Sequence, residues 1–317
     1  MKILVTGSSG HLGEALVRVL KSESHEVIGI DLVPSLFTNG VGSITDRDFV
    51  RTYMKGVQAV FHTATLHKPH IISHNRQQFV DTNITGTLNL LEESVENNVQ
   101  SFVYTSTTST FGDALTPDPG SPAAWITELV TPIPKNIYGV TKMAGEDLCQ
   151  LFHRNQRLAC IVLKTSRFFP EEDDQQQVRD NYGDLNIKAN EFLYRRVDIQ
   201  DVVQAHLLAM DKAGTIGFNR YIISANTPFS QNDLPELFRK APGVVKKLVP
   251  GYESVYLQKG WKMFPVIDRV YVNEKAKKDL GWQPAYDFQR ILEKLRVNEY
   301  PFSPLTKMIG SKGYHRL

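Results

Sequence analysis

The chain has 317 residues, 41% hydrophobic and 22% charged, with a formal net charge of +2, enough to bury a large core divided between two lobes. It has no run of five like charges, no basic stripe interleaved with aromatics and no apolar run of membrane length, which excludes nucleic acid and membrane as partners. Cys149 and Cys160 lack ligand-spaced His or Cys, so neither a disulfide framework nor a zinc site is expected, and Met1 leads straight into a short apolar stretch, so a cytoplasmic protein is expected.

Apolar runs bounded by turn residues at Lys2 to Thr6, His25 to Asp31, Val57 to Ala64, Ser101 to Ser106 and Ala159 to Phe168 read as buried parallel strands. Helical patterns at Leu12 to Leu20, Phe79 to Glu96 and Ile137 to Phe152 lie between them. The alternation predicts an α/β fold with a Rossmann-type doubly wound parallel sheet. A polar, acidic stretch from Pro170 to Gly183 interrupts it before strand and helix return at Arg195 to Met210, with another strand at Asn219 to Ser224. From Thr227 onward, short helices, Pro and Gly breaks and scattered aromatics suit a smaller lobe over the sheet's carboxyl edge, where open α/β sheets bind ligands. The expected division is a nucleotide-binding body of residues 1–169 continued by 195–224, and a substrate lobe of residues 170–194 and 225–317.

The stretch VTGSSGHLG follows the first strand and opens the first helix, and the second strand ends in Asp31. Gly7 permits a tight turn, Gly10 lets backbone approach a pyrophosphate, and Gly13 lets helix and strand pack closely. The helix N-terminus offers free N–H donors to the phosphate. Asp31 would accept both ribose hydroxyls and repel a 2′-phosphate, and Leu32, Val33 and Pro34 supply no arginine to hold one. These features predict NAD rather than NADP. The alternative is a structural turn with Asp31 as a loop carboxylate.

In KNIYGVTKMAGEDL, Tyr138 and Lys142 lie one helical turn apart on one face, downstream of SFVYTSTTSTFG. A free tyrosine has a pKa of about 10, and lowering it by about three units takes about 4 kcal/mol. An ammonium about 4 Å away supplies that order of energy at an effective dielectric near 20. With the Thr107 hydroxyl holding a substrate oxygen, Tyr138 suits proton exchange during hydride transfer at a secondary alcohol.

Through TGSSGHLG, Asp31, VFHTAT, NITGTLNLLE, FVYTSTTSTFG, YGVTK, RVDIQDVVQAHLLA and DLGWQP, the chain resembles the extended short-chain dehydrogenase/reductases of the NAD-dependent epimerase/dehydratase group. The resemblance implies a catalytic set of Tyr138, Lys142 and Thr107. It places Gly7, Ser9, Gly10, His11, Leu12, Gly13, Asp31, Leu32, Ser43, Ile44, Thr63, Ala64, Thr65, Thr105 and Phe168 on NAD, and has Asn83 order water or ribose nearby. Phe168 and Phe169 would flank the nicotinamide, while His67, Thr108, Phe169 and Arg196 would face a small-molecule substrate. It further implies a homodimer through the helices near 79–96 and 137–152.

Departures from the family pattern narrow the chemistry. Ser43 stands where an acid usually contacts adenine, before Ile44, which weakens that contact. Thr108 and Ser109 replace the Asp-Glu pair of nucleotide-sugar dehydratases, which disfavours dehydration. Pro170 replaces an asparagine, and the short segment carrying Glu171, Glu172, Asp173 and Asp174 would repel a diphosphate unless it faces solvent, so a compact substrate is expected. His67, His70 and His74 lack a carboxylate or cysteine to complete a metal set, so no metal is expected. Glu146 and Asp201 read as packing or helix-end partners. The resulting expectation is an NAD-dependent oxidoreductase or epimerase acting on a secondary hydroxyl of a sugar-like or small hydroxy compound. The alternatives are a UDP-sugar 4-epimerase and a non-catalytic NAD(H)-sensing protein, the latter disfavoured by Tyr138, Lys142 and Thr107.

Overall fold

A computed structural model describes residues 1–313. Its first half runs β1 (Lys2–Thr6), α1 (His11–Ser22), β2 (Glu26–Asp31), β3 (Gly40–Val41), α2 (Arg47–Met54), β4 (Ala59–His62), α3 (Arg76–Val80), α4 (Gly86–Glu96), β5 (Ser101–Thr107), β6 (Ala124–Ile126) and α5 (Ile137–Gln156). The remainder is β7 (Cys160–Thr165), α6 (Gln176–Asn181), α7 (Asp184–Glu191), α8 (Ile199–Ile216), β8 (Phe218–Ile223), α9 (Leu234–Leu248), α10 (Tyr252–Lys259), β9 (Arg269–Tyr271), α11 (Glu274–Leu280), α12 (Phe288–Arg296) and α13 (Pro304–Ile309).

Seven strands form one parallel sheet in the order β3-β2-β1-β4-β5-β7-β8. Every residue of β4 and β7 is buried, as expected of strands covered on both faces. One face packs Leu16 and Val17 of α1 against Val202 and Ala209 of α8. The other packs Val50 and Met54 of α2, Leu90 and Leu91 of α4, and Cys149 and Phe152 of α5. The strand order reverses between β1 and β4, which opens a crevice at their carboxyl ends.

A separate core gathers Ile187 and Phe192 with Leu237, Val245, Tyr256, Phe288 and Leu292. Beside it, β6 pairs in parallel with β9. Asp201 anchors the chain's return to the sheet: its carboxylate accepts from the backbone N–H of Ala285 (2.8 Å) and Tyr286 (2.9 Å), and its carbonyl accepts from Trp282 Nε1 (2.9 Å). It is a packing partner, as its sequence context suggests.

Three stretches differ from the sequence expectation. The helix expected over 79–96 is α3, a π-turn at Asp81–Thr85 and then α4, and the wider turn carries the buried Asn83. Near Arg195 there is only an isolated bridge between Arg167 and Arg196, because residues 192–195 wind in turns whose backbone N–H groups bond back to 188–191. The helix α2 goes unread in its polar sequence, although Asp46 caps it by accepting from the N–H groups of Asp48 and Phe49.

Candidate active site

The turn between β1 and α1 is fixed by close backbone approaches. Gly7 has φ of +69°, and a Cβ there would stand 2.8 Å from the Ala64 nitrogen; a Cβ on Gly13 would stand 1.9 Å from the Gly7 carbonyl oxygen. Gly10 precedes α1, which has no side-chain cap, so the first-turn N–H groups remain for a ligand. At the end of β2, Asp31 is held by the N–H groups of Ser9 (2.9 Å, to Oδ2) and Val33 (2.9 Å, to Oδ1). Each carboxylate oxygen keeps acceptor capacity for a ribose hydroxyl.

A cleft of about 960 Å³ runs from this turn along the carboxyl ends of β1, β4 and β5. Its wall includes Gly7, Ser9, Gly10, His11, Leu12, Gly13, Asp31, Leu32, Ser43, Ile44, Thr63, Ala64, Thr65, Thr105, Thr107, Tyr138 and Phe168, together with His67, Thr108 and Phe169. The expected site residues Asn83, Lys142 and Arg196 are not in that wall. Asn83 stands behind it, accepting from Thr65 Oγ1 (2.9 Å) and the Leu66 N–H (2.8 Å) and donating to Thr141 Oγ1 (3.0 Å), so it shapes the loop after β4. Arg196 donates to Glu191 (2.7 Å) and the Phe169 carbonyl (3.0 Å) and lines a cavity of about 160 Å³ that shares Phe168 with the main cleft.

Tyr138, in the first turn of α5, and Thr107, at the end of β5, both line the cleft. Burial pushes the phenol up to about 12, with the Thr107 hydroxyl pulling the other way. The Lys142 ammonium lies 4.0 Å from the Tyr104 ring centre, and burial brings it down to about 7 while Glu146 opposes the fall. Desolvation therefore outweighs the lysine–tyrosine attraction that the one-turn spacing suggests.

Near Tyr138, burial drives the His67 imidazole down to about 3, aided by the charges of His70 and Lys142. It is neutral at physiological pH, with ring centres 6.3 Å from Tyr138 and 5.6 Å from Phe169. Its backbone N–H donates to His70 Nδ1 at 2.8 Å. Among the described residues, no group of three His, Cys, Asp or Glu is placed to hold a metal ion.

The acidic segment alternates: Glu171 and Asp173 are buried, whereas Glu172 and Asp174 are exposed. Glu171 lies 2.8 Å from His11 Nε2 and accepts from the Lys312 N–H (2.8 Å) and the Ser311 hydroxyl (3.1 Å), while the Lys312 ammonium contacts Glu14. Burial pushes Glu171 up, but these donors, His11 first, bring it down to about 2. Asp173 pairs with Arg167 at 2.7 Å and Asp174 with Lys68 at 3.3 Å. Three of the four carboxylates thus have close partners, and two of them, Glu171 and Asp174, line the cleft.

Sequence reasoning missed Arg167, Arg269, Tyr271 and Lys312 in the cleft wall and left open whether Glu171 faces it. The spacing of Glu171 and Asp173 by two is the one local signal. Lys312 had none, because its partners lie 141 and 298 residues away.

A glycine turn that admits no Cβ, an uncapped helix N-terminus, an acid after β2 and a tyrosine–threonine pair beyond β5 together define a dinucleotide-dependent enzyme of the doubly wound α/β class. The model of the NAD dependent epimerase/dehydratase family matches residues 3–223, and the chain belongs to that family. It is an NAD-dependent oxidoreductase/epimerase.

A 3-beta-hydroxysteroid dehydrogenase of Mycolicibacterium neoaurum is 26% identical, with 92% of this chain and 89% of that protein covered. The UDP-glucose 4-epimerase of Thermotoga maritima, solved with UDP-glucose, is 25% identical with a TM-score of 0.63, covering 94% of this chain and 99% of that one. A short-chain dehydrogenase/reductase superfamily protein of Agrobacterium tumefaciens with bound NAD has a TM-score of 0.66 at 23% identity, covering 94% of this chain and 96% of that one.

Proposed function

We propose that the chain transfers a hydride between NAD and a secondary carbinol of a compact sugar-like or other small hydroxy compound, either as a net dehydrogenase or as an epimerase that recycles its NAD. The observation that carries this reading is that Tyr138 and Thr107 line the same cleft as the glycine turn and Asp31. In it, Gly7, Gly10 and Gly13 admit the pyrophosphate to the start of α1, and Asp31 accepts from ribose hydroxyls. Thr107 orients the carbinol oxygen, and Tyr138 takes or returns its proton.

Bound NAD supplies the hydride acceptor and, when oxidised, a positive ring. A phenol at about 12 is about 7 kcal/mol from ionising at neutrality. A positive charge about 4 Å away supplies about 4 kcal/mol at an effective dielectric near 20, so an ammonium and the oxidised ring together would cover the sum.

A compact substrate is favoured by the shortness of the segment after Phe169 and by its Glu171 and Asp174, which line the cleft. A nucleotide-sugar 4-epimerase is the second reading, favoured by Arg167, Arg195 and Arg269 in the cleft wall. A thermal-shift panel on the NAD-loaded chain, with free sugars, UDP-glucose and a 3β-hydroxysteroid, separates them. Stabilisation by free sugars supports the first reading; stabilisation by UDP-glucose alone supports the second, and by the steroid alone overturns both. Tyr138→Phe is expected to lower turnover by about 10²- to 10⁴-fold with NAD binding kept, and unchanged turnover would return the sensing-protein alternative.

The same reading takes residues 1–169 with 195–224 as the NAD-binding domain, and residues 170–194 with 225–317 as the substrate lobe. It pairs two copies through α4 and α5, supported by Val140 and Leu151 on one outer face of α5, 49% and 39% exposed. Residence in the cytoplasm is supported by the two free buried thiols, Cys149 and Cys160.

A further inference from the structure

On α5, Glu146 follows Lys142 by four residues, as Lys142 follows Tyr138, which places the three along one helix face. The Glu146 side chain is buried and gathers donors from three strands. Ser106 of β5 donates to it at 2.5 Å, Lys164 of β7 at 2.6 and 2.8 Å, and Arg220 of β8 at 3.1 Å. Ser106 immediately precedes Thr107, so this carboxylate ties the strand end bearing the threonine to the helix bearing the tyrosine.

Two cations against one carboxylate look like a plain structural ion-pair cluster, but Lys164 is itself buried and Arg220 also pairs with Asp147 at 2.9 Å. Among the groups that bear on Lys142, the carboxylate is Glu146, one turn further along α5. The groups that face it are the Tyr104 ring on β5, His62 on β4, His67 in the following loop, and Cys149 and Glu146 on α5. His62 is pushed down by burial and then by Lys142, and His67 by burial, then His70, then Lys142, so neither offers it a compensating charge.

We propose that Glu146 is a positioning residue of hydride transfer: the buried counter-charge that keeps Lys142 an ammonium, while it fixes the Ser106–Thr107 strand end against α5. It touches neither substrate nor cofactor and acts through its neighbours. This rests on the reading of Tyr138 and Lys142 as the proton-handling pair.

The test is the ionisation of Lys142 itself, followed by ¹³Cε NMR on the NAD-loaded full chain, with the resonance assigned by its loss in Lys142→Arg. Glu146→Gln is expected to lower the Lys142 midpoint by about one pH unit, the order that one close buried charge contributes. Because that variant leaves Lys164 uncompensated and is at risk of not folding, Glu146→Gln/Lys164→Met removes the pair together, and its midpoint is also expected to fall.

A double-variant midpoint equal to wild type would mean that Glu146 serves only to neutralise Lys164, and the proposal would be overturned. So would a midpoint unmoved in both variants. The parent reading fails separately, if Tyr138→Phe retains full turnover whatever Lys142 does.

Discussion

At the scale of single residues, Gly13 is the most constrained position of the cofactor cradle. The neighbour of a Cβ there would be the Gly7 carbonyl, which is backbone and cannot swing aside. Gly13→Ala is therefore expected to destabilise the fold by about 1–3 kcal/mol and to weaken NAD binding at least tenfold. Chemical denaturation and NAD titration check it, and native values in both would mean that the turn relaxes. The glycines and Asp31 are legible in the sequence because their work is local, within the thirty residues that build one strand, turn, helix and strand. Glu171 is not, because its meaning depends on His11 and Lys312, which chain order does not bring near it. Asn83 is legible as a site residue, yet it stands behind the wall, since its side chain is spent on Thr65, Leu66 and Thr141.

Among the elements, α5 does two jobs with two faces. Tyr138, Lys142 and Glu146 are buried, while Val140 and Leu151 lie outside with the exposed Asp147. A charge on the outer face should split a dimer without reaching the cleft, so Val140→Glu is expected to halve the solution mass with NAD binding unchanged. Light scattering after gel filtration measures this, and a monomeric wild type would remove the dimer. The strands and α5 are legible from apolar runs and periodicity. The strands β6 and β9 are not: each has three residues, and they meet across some 145 positions, so neither carries a pattern of its own. The π-turn before α4 is equally silent, because one wider turn barely disturbs a helical period.

For the molecule as a whole, buried carboxylates set the response to acid. Burial pushes Glu191 up, but Arg196, Arg195 and Arg167 bring it down to about 2, and Glu171 is likewise held at about 2. Acids held below their unfolded value add stability that is complete above about pH 4.5 and lost as pH falls towards 2. Asp201 runs the other way: burial raises it to about 7, so its contribution is full below about pH 4 and fades as pH rises to 7. Stability is expected to drop steeply below pH 4.5, and Glu191→Gln to flatten that drop by losing more at pH 7 than at pH 3. Urea unfolding at the two pH values decides it, and equal losses at both would refute the assignment. None of this is legible in the sequence, where Glu191 is one glutamate among many.

The contact between Lys312 and Glu14 joins positions 298 residues apart, and Glu171 stands between the two segments at the mouth of the cradle. A nascent chain can fold its strand–turn–helix unit early, whereas Lys312 of the cleft wall is added only near the end of synthesis. The cleft is therefore completed after the sheet that supports it, by contacts that only the last part of the chain can make.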